Sequence, residues 1–477
     1  MISYAVFFRR PIFGDTTFDV APAHRALAEG RFETALTLLE GATRRQRRRS
    51  SQAQIKLYLA ATYALRGPGG SKWGAQTLRE AAEVDSDVTQ LALYRALYWE
   101  FAAYRGDAAA DVRKGALAAA RFGDPFAVYH AASALFAIRA YRRAARLLKK
   151  LEPLDLPDYL RWRYWSLLGK SCSASDRLDE AADAFRCAVS LAVGEEKHHE
   201  RLHLTGTLLE LHRPEEALRT LSKIDVNELE PGERLLRVYF EGRAQLLLGN
   251  PNLALEHLQQ ASALEDAAGQ PSYTSKLALA QCYGALGRFP QAISSYRQAA
   301  ELAPKKQRAW TLHEYALLLT EAERLPSARD LLFETLRAEG YAYRAEVYAD
   351  LAEVEYKLAN LSNAAEHALR ALDLGAVGSA CLTLGSIAYE YYHLDDAVGW
   401  FEKAVAACRE GETDWLHAQQ MLADIFVQQG FARPERVVFH AELALKYLQE
   451  GDEWALILHG YVKQARELLG GHSRRFN

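Results

Sequence analysis

Five consecutive residues, His199-Glu200-Arg201-Leu202-His203, combine types and spacing that can do chemistry. On a helix, residues four apart share a face. His199 and His203 would then offer two imidazoles to one zinc ion, with Glu200 as the base for a zinc-bound water. A hydrolase of this kind needs a third ligand. Gly206 follows the pair, but Leu209 stands three residues beyond it, where a third His would complete the set. Glu228 and Glu230 are the nearest carboxylates further on, and neither lies in a recognisable motif. His198 adds only incidental zinc affinity. A five-residue pattern also arises by chance. No phosphate-cradling glycine loop, dinucleotide fingerprint or nucleophile elbow accompanies it. The reading is therefore a non-catalytic protein without a cofactor, with a zinc hydrolase at His199 and His203 as the lesser alternative.

The helix that would carry this motif has other commitments. Leu202, Thr205 and Leu208 sit at packing positions, and the same pattern recurs along most of the chain. Its clearest copy is Lys276 to Pro304, KLALAQCYGALGRFPQAISSYRQAAELAP. Leu277, Leu279, Ala280, Tyr283 and Leu286 mark one face of a first helix, which Gly287 stops. Pro290 opens a second helix, where its missing N–H costs nothing, and Ala292, Tyr296 and Ala299 form that helix's face. Two such short helices cannot bury their stripes alone, so the unit needs neighbours on both sides.

Ala280, Tyr283, Gly287, Ala292, Tyr296, Ala299 and Pro304 resemble the tetratricopeptide repeat, a helix pair of about 34 residues. Trp165, Leu168 and Gly169, followed by Ala181, Phe185 and Ala188, resemble it most closely. The resemblance implies an all-α fold, a right-handed α-solenoid of about twelve helix pairs with a capping helix at the C-terminal end.

In chain order, residues 1–22 are expected to dock on the first repeat as a strand or helix, a membrane or partner contact being the alternative. Their apolar run ahead of Arg9 and Arg10 makes a poor secretion signal. Residues 23–150 form degenerate, basic repeats, 151–450 regular ones, and 451–477 a capping helix with a short tail. Pro214, Pro251, Pro290 and Pro326 each fall just after a first helix, where a mid-helix proline would cost about 3 kcal/mol. No run of about 18 apolar residues predicts a membrane span. The five cysteines are scattered without paired spacing and read as reduced core thiols of a cytoplasmic protein.

The resemblance implies that the first helices build a concave wall that holds a peptide or partner protein. Spacing from the packing residues places Tyr129, Ser133, Phe136, Arg163, Lys170, Tyr239, Arg243, Gln281, His313, Glu353, Tyr356 and Tyr389 on that wall. Aromatic rings among charges suit recognition, although any single one can be merely solvated or packed. A related class of repeat proteins grips chaperone C-terminal carboxylates with Asn and Lys residues. Gln281, Ser386, Glu353 and Asp350 occupy the corresponding places here and argue against that grip.

Charge is uneven. Residues 1–150 hold 24 Lys and Arg against 13 Asp and Glu in a chain whose net charge is −3. The densest element carries Arg44, Arg45, Arg47, Arg48 and Arg49, and a second helix gathers Arg139, Arg142, Arg143, Arg146, Lys149 and Lys150. These clusters can meet an acidic protein surface, nucleic acid or another anionic polymer, the acidic flank of a second copy, or only solvent. No DNA-recognition module accompanies them. The function read from the sequence is a protein-interaction scaffold, adaptor or regulatory binding protein, with a nucleic-acid-associated factor as the alternative.

Overall fold

Each first helix of the chain stops at a backbone position of positive φ. Glycine takes that position at Gly30, Gly67, Gly106, Gly249, Gly287 and Gly430, but Arg139, Asp176, His212, Glu323, Ala359 and Tyr392 occupy it elsewhere. The left-handed turn lets the backbone reverse within two or three residues, and the second helix follows at once. In this computed structural model the described residues are 19–449 and 451–473. They form 25 α-helices and no strand: twelve consecutive pairs and one closing helix. Pro214 and Pro251 are the first residues of their second helices, and Pro290 and Pro326 the second residues of theirs, as the sequence pattern requires.

A left-handed Tyr is strained by its Cβ. Tyr392 has φ 59° and is 70% exposed, so its side chain repays little of that cost by packing. Tyr392→Gly is expected to raise stability by about 1 kcal/mol, read as a higher denaturant midpoint at unchanged slope.

Contacts divide the chain into two compact units, Met1–Leu264 and Glu265–Asn477. In the first unit one continuous core runs from Val20 to Ala244. The helix Ala21–Ala28 packs on its own partner Phe32–Arg45 and also on the distant helix Asp158–Ser173. His24 there lies 5.1 Å from the Tyr159 ring and 5.9 Å from Tyr58, which meets Phe126 edge-on at 6.2 Å. Tyr58, Phe126, Tyr129, Tyr159 and Trp162 are all buried. First-helix side chains of the early pairs are thus consumed by the unit's own interior.

The same unit buries a carboxylate. Glu100 and His130 are each 2% exposed in their side chains, with Nδ1 of His130 2.7 Å from Oε2 of Glu100. Ser133 and Tyr104 both donate to the other carboxylate oxygen, at 2.5 and 3.1 Å. Every acceptor direction of Glu100 that matters is filled, which is what makes its burial tolerable.

In the second unit, small residues on the first helix receive rings from the second. Ala280 and Tyr296 are buried together in one cluster. Gly385 leaves room for Phe401, since a Cβ there would lie 2.9 Å from the ring. The Gly169 and Phe185 pair of the first unit repeats the arrangement at 2.7 Å. The closing helix, Glu453–Ser473, covers the last pair by packing Leu458 and Val462 against Ala423, Ala441 and Ala444. Of the segment expected to cap the first repeat, residues 1–18 lie outside the described residues, as do 474–477 of the C-terminal tail.

Candidate functional site

The His199 pair sits on the helix Glu195–Glu210. His199 holds Glu233 of the next pair at 3.1 Å through Nδ1, and its Nε2 lies 3.0 Å from Nε2 of His203. His203 stacks on Phe185 with ring centroids 5.4 Å apart. Burial, then the charges of Lys170 and His199, pulls His203 down to about 3, so it is neutral. Glu200 bonds neither imidazole through any hydrogen bond of the described residues. It is fully buried and accepts from Ser166 at 2.7 Å, with burial raising its pKa. Glu228, offered above as a third ligand, instead takes His198 at 2.6 Å. Among the described residues no group of three or more His, Cys, Asp and Glu side chains is placed to hold a metal. Beside His203 opens a pocket of about 260 Å³ lined by Lys170, Phe185, Thr207, Glu210 and Phe240.

Among the described residues His203 is one of four histidines whose pKa burial lowers, with His24, His417 and His440. His24 and His440 are each lowered to about 4, mainly by burial. His440 is 4% exposed, bonds Gln419 at 2.6 Å and stacks on Phe426. A histidine whose folded pKa is depressed is protonated first in the unfolded chain. Stability is therefore full above about pH 6.5 and is lost as pH falls from there towards 4, with His440 alone accounting for about 3 kcal/mol. Thermal melts between pH 7 and 4.5 should show this fall, and His440→Gln should flatten it.

The residues expected on the first-helix wall divide by unit. Tyr129 is a buried core residue, Ser133 is bonded to Glu100, and Phe136 packs on Tyr141 at 5.2 Å. Tyr129 therefore leaves no open surface, and Ser133, half-buried, is committed to Glu100. Arg163 donates to the Tyr159 carbonyl at 2.8 Å and lies 4.2 Å over the Trp162 ring, and burial lowers its pKa. Lys170 faces the pocket, and Tyr239 and Arg243 are half-buried on the helix Pro231–Leu247.

In the second unit the expected residues become rungs between successive first helices. Gln281 bonds Glu314. His313 meets Asp350 at 2.5 Å. Tyr356 donates to Glu390 at 3.1 Å, and Tyr389 donates to Asp424 at 2.7 Å. Tyr461 of the closing helix donates to the other oxygen of Asp424, also at 2.7 Å. Glu353 instead pairs along its own helix with Lys357. Burial first, then the neighbouring carboxylates, pushes Tyr356 and Tyr389 up to about 12. Sequence reasoning missed Asp424 and Tyr461. The position after a small packing residue gave Gln281 and Glu353, and applied to Ala423 it would have given Asp424.

The basic clusters lie on surface turns and helix faces. Arg44 and Arg45 end the helix Phe32–Arg45, Arg49 begins Arg49–Ala64, and Arg44, Arg45, Arg47, Arg48 and Arg49 are all exposed. Arg142, Arg143 and Arg146 project from Tyr141–Leu148, with Arg139 in the turn before it.

A family model described as tetratricopeptide repeat matches residues 277–309, the helix pair in which Ala280, Tyr296 and Ala299 are buried together. That helix pair is matched as a tetratricopeptide repeat. No curated protein matches the sequence. Among solved structures the repeat chain is similar to the apo form of the quorum sensor NprR from B. thuringiensis, at 14% identity over 63% of this chain and 97% of that one, with a TM-score of 0.47. It is similar to the APC/C hetero-tetramer Cut9-Hcn1 at 14% identity, covering 93% and 95%, with a TM-score of 0.43. It is also similar to PilF of Pseudomonas aeruginosa at 19% identity, covering 48% and 98%, with a TM-score of 0.38. No helix among the described residues is long and apolar enough to cross a membrane.

Proposed function

We propose that this repeat protein is a non-catalytic scaffold or adaptor of the cytoplasm that holds a peptide or partner protein along the face formed by its first helices. The observation that carries the reading is the run of rungs Tyr356 to Glu390, Tyr389 to Asp424 and Tyr461 to Asp424. They fix polar and aromatic side chains on consecutive first helices at one-repeat intervals, so a partner meets a surface that is already ordered. The burial of Glu200 supports a structural part for the His199 pair, because the base that hydrolysis needs is tied to Ser166.

Affinity capture from native lysate, with and without nuclease, tests the proposal. The expected result is a discrete protein that survives nuclease and is lost from the Tyr356→Ala/Tyr389→Ala double variant, whose melting curve stays cooperative. Recovery that collapses with nuclease, and with replacement of Arg44, Arg45, Arg47, Arg48 and Arg49 by Ala, would instead favour the anionic-polymer reading.

A further inference from the structure

The turn between the helices Phe32–Arg45 and Arg49–Ala64 places Arg47, Arg48 and Arg49 directly ahead of Ser50, with Arg44 and Arg45 a few residues earlier. Ser51 follows the same run at nearly the same spacing, so the sequence does not choose between the two hydroxyls. The structure does. Ser50 is exposed and its hydroxyl has no hydrogen-bond partner among the described residues, whereas Ser51 is 8% exposed. Gln46 and Arg48 are extended, with ψ 128° and 126°, so the basic run approaches Ser50 as an extended backbone on the surface. Ser50 is the second residue of a helix that has no side-chain cap and no acidic residue in its first turn. An uncapped first turn frays at little cost, and negative charge placed in it is favoured by the helix dipole. Arg47, Arg48 and Arg49 form no ion pair among the described residues, so one open hydroxyl stands beside concentrated positive charge.

We propose that Ser50 is a phosphorylation site for an arginine-directed serine kinase, a modification that goes beyond the first-helix reading and does not depend on it. The chemistry of that partner follows from the basic run. Its substrate groove is acidic, and its carboxylates take Arg47 and Arg48 while the frayed first turn lies extended across the active site. Ser50 Oγ forms a bond to the γ-phosphorus of ATP, and the bond from that phosphorus to the bridging oxygen breaks. ADP leaves, and the hydroxyl proton passes to the kinase's carboxylate base. The product suits its place. A phosphoserine carries about −1.5 to −2 charges at pH 7, and here it meets the positive end of the helix beside arginines able to donate in pairs. It re-forms the first turn and cancels much of the local charge, so a surface that attracts polyanions ceases to do so.

The test uses the full chain in two preparations. Chain isolated from its native cells with phosphatases inhibited is digested, and its phosphorylated residues are located by tandem mass spectrometry. Chain free of phosphate is treated with a purified arginine-directed serine kinase and radiolabelled ATP. Ser50 is expected to carry the phosphoryl group in both, with Ser51 unmodified, and Ser50→Ala should abolish the labelling. Arg47→Ala and Arg48→Ala should each lower kcat/KM for labelling about tenfold, the loss of one charge-assisted contact. Arg142→Ala/Arg143→Ala removes charge from another exposed helix face and should leave it unchanged. Every replaced side chain is exposed, so each variant is expected to keep the parent's melting curve. Native chain without phosphate at Ser50, labelling of Ser51 or another residue in its place, or labelling indifferent to Arg47 and Arg48 would each overturn the proposal.

Discussion

Glu100→Ala is expected to destabilise the first unit by about 3–5 kcal/mol. The substitution removes one side chain but strands three groups: the His130 ring, the Ser133 hydroxyl and the Tyr104 hydroxyl, all of which converge on this carboxylate. His130 is 1% exposed and can recover no water. The cost is set by donors left without acceptors in an apolar interior, and it exceeds that of a surface ion pair several-fold. Glu100→Gln keeps an acceptor for the two hydroxyls but turns a donor towards His130, so its loss should be smaller. Native-state hydrogen exchange of the helices Ala92–Arg105 and Pro125–Ala137 reads the effect locally, without requiring the whole chain to unfold in one step. A loss under 1 kcal/mol would mean that Glu100 is dispensable to the fold.

Phe401→Ala should cost about 3–5 kcal/mol in the second unit. The ring is fully buried, fits over Gly385 and shares its cluster with Cys381, Ala397, Leu422 and Phe426. Gly385 brings backbone against one face of the ring, so that wall can collapse little. Gly385→Ala probes the same contact from the other side by forcing a Cβ to 2.9 Å from the ring. Its expected cost is about 1–3 kcal/mol. The two changes together should cost less than the sum of their separate effects, because removing the ring makes room for the methyl. Additive losses would show that the ring and the glycine do not share one contact.

These two sites differ in how readily the sequence reveals them. Gly385 with Phe401, and Gly169 with Phe185, are sixteen residues apart in a repeating frame, so period and size together announce the contact. Gly287 and the prolines at the starts of second helices were equally legible. Arg139, Asp176, His212, Glu323, Ala359 and Tyr392 were not, since nothing in a charged or bulky residue signals a left-handed turn. Tyr129 was placed on the wall by spacing, and its burial in a core that also receives the first helix withdraws it. The helix Ala21–Ala28 meets Asp158–Ser173 more than a hundred residues later, and spacing within a repeat carries no trace of that closure.

The central claim is that the first helices of the second unit form the partner-binding face. Hydrogen–deuterium exchange of the chain alone and with its captured protein partner tests this most directly. Slower exchange on binding is expected in the helices Arg344–Lys357, Val377–Glu390 and Thr413–Gln428. Protection confined to their second-helix partners, or to the Arg44 to Arg49 segment, would contradict it.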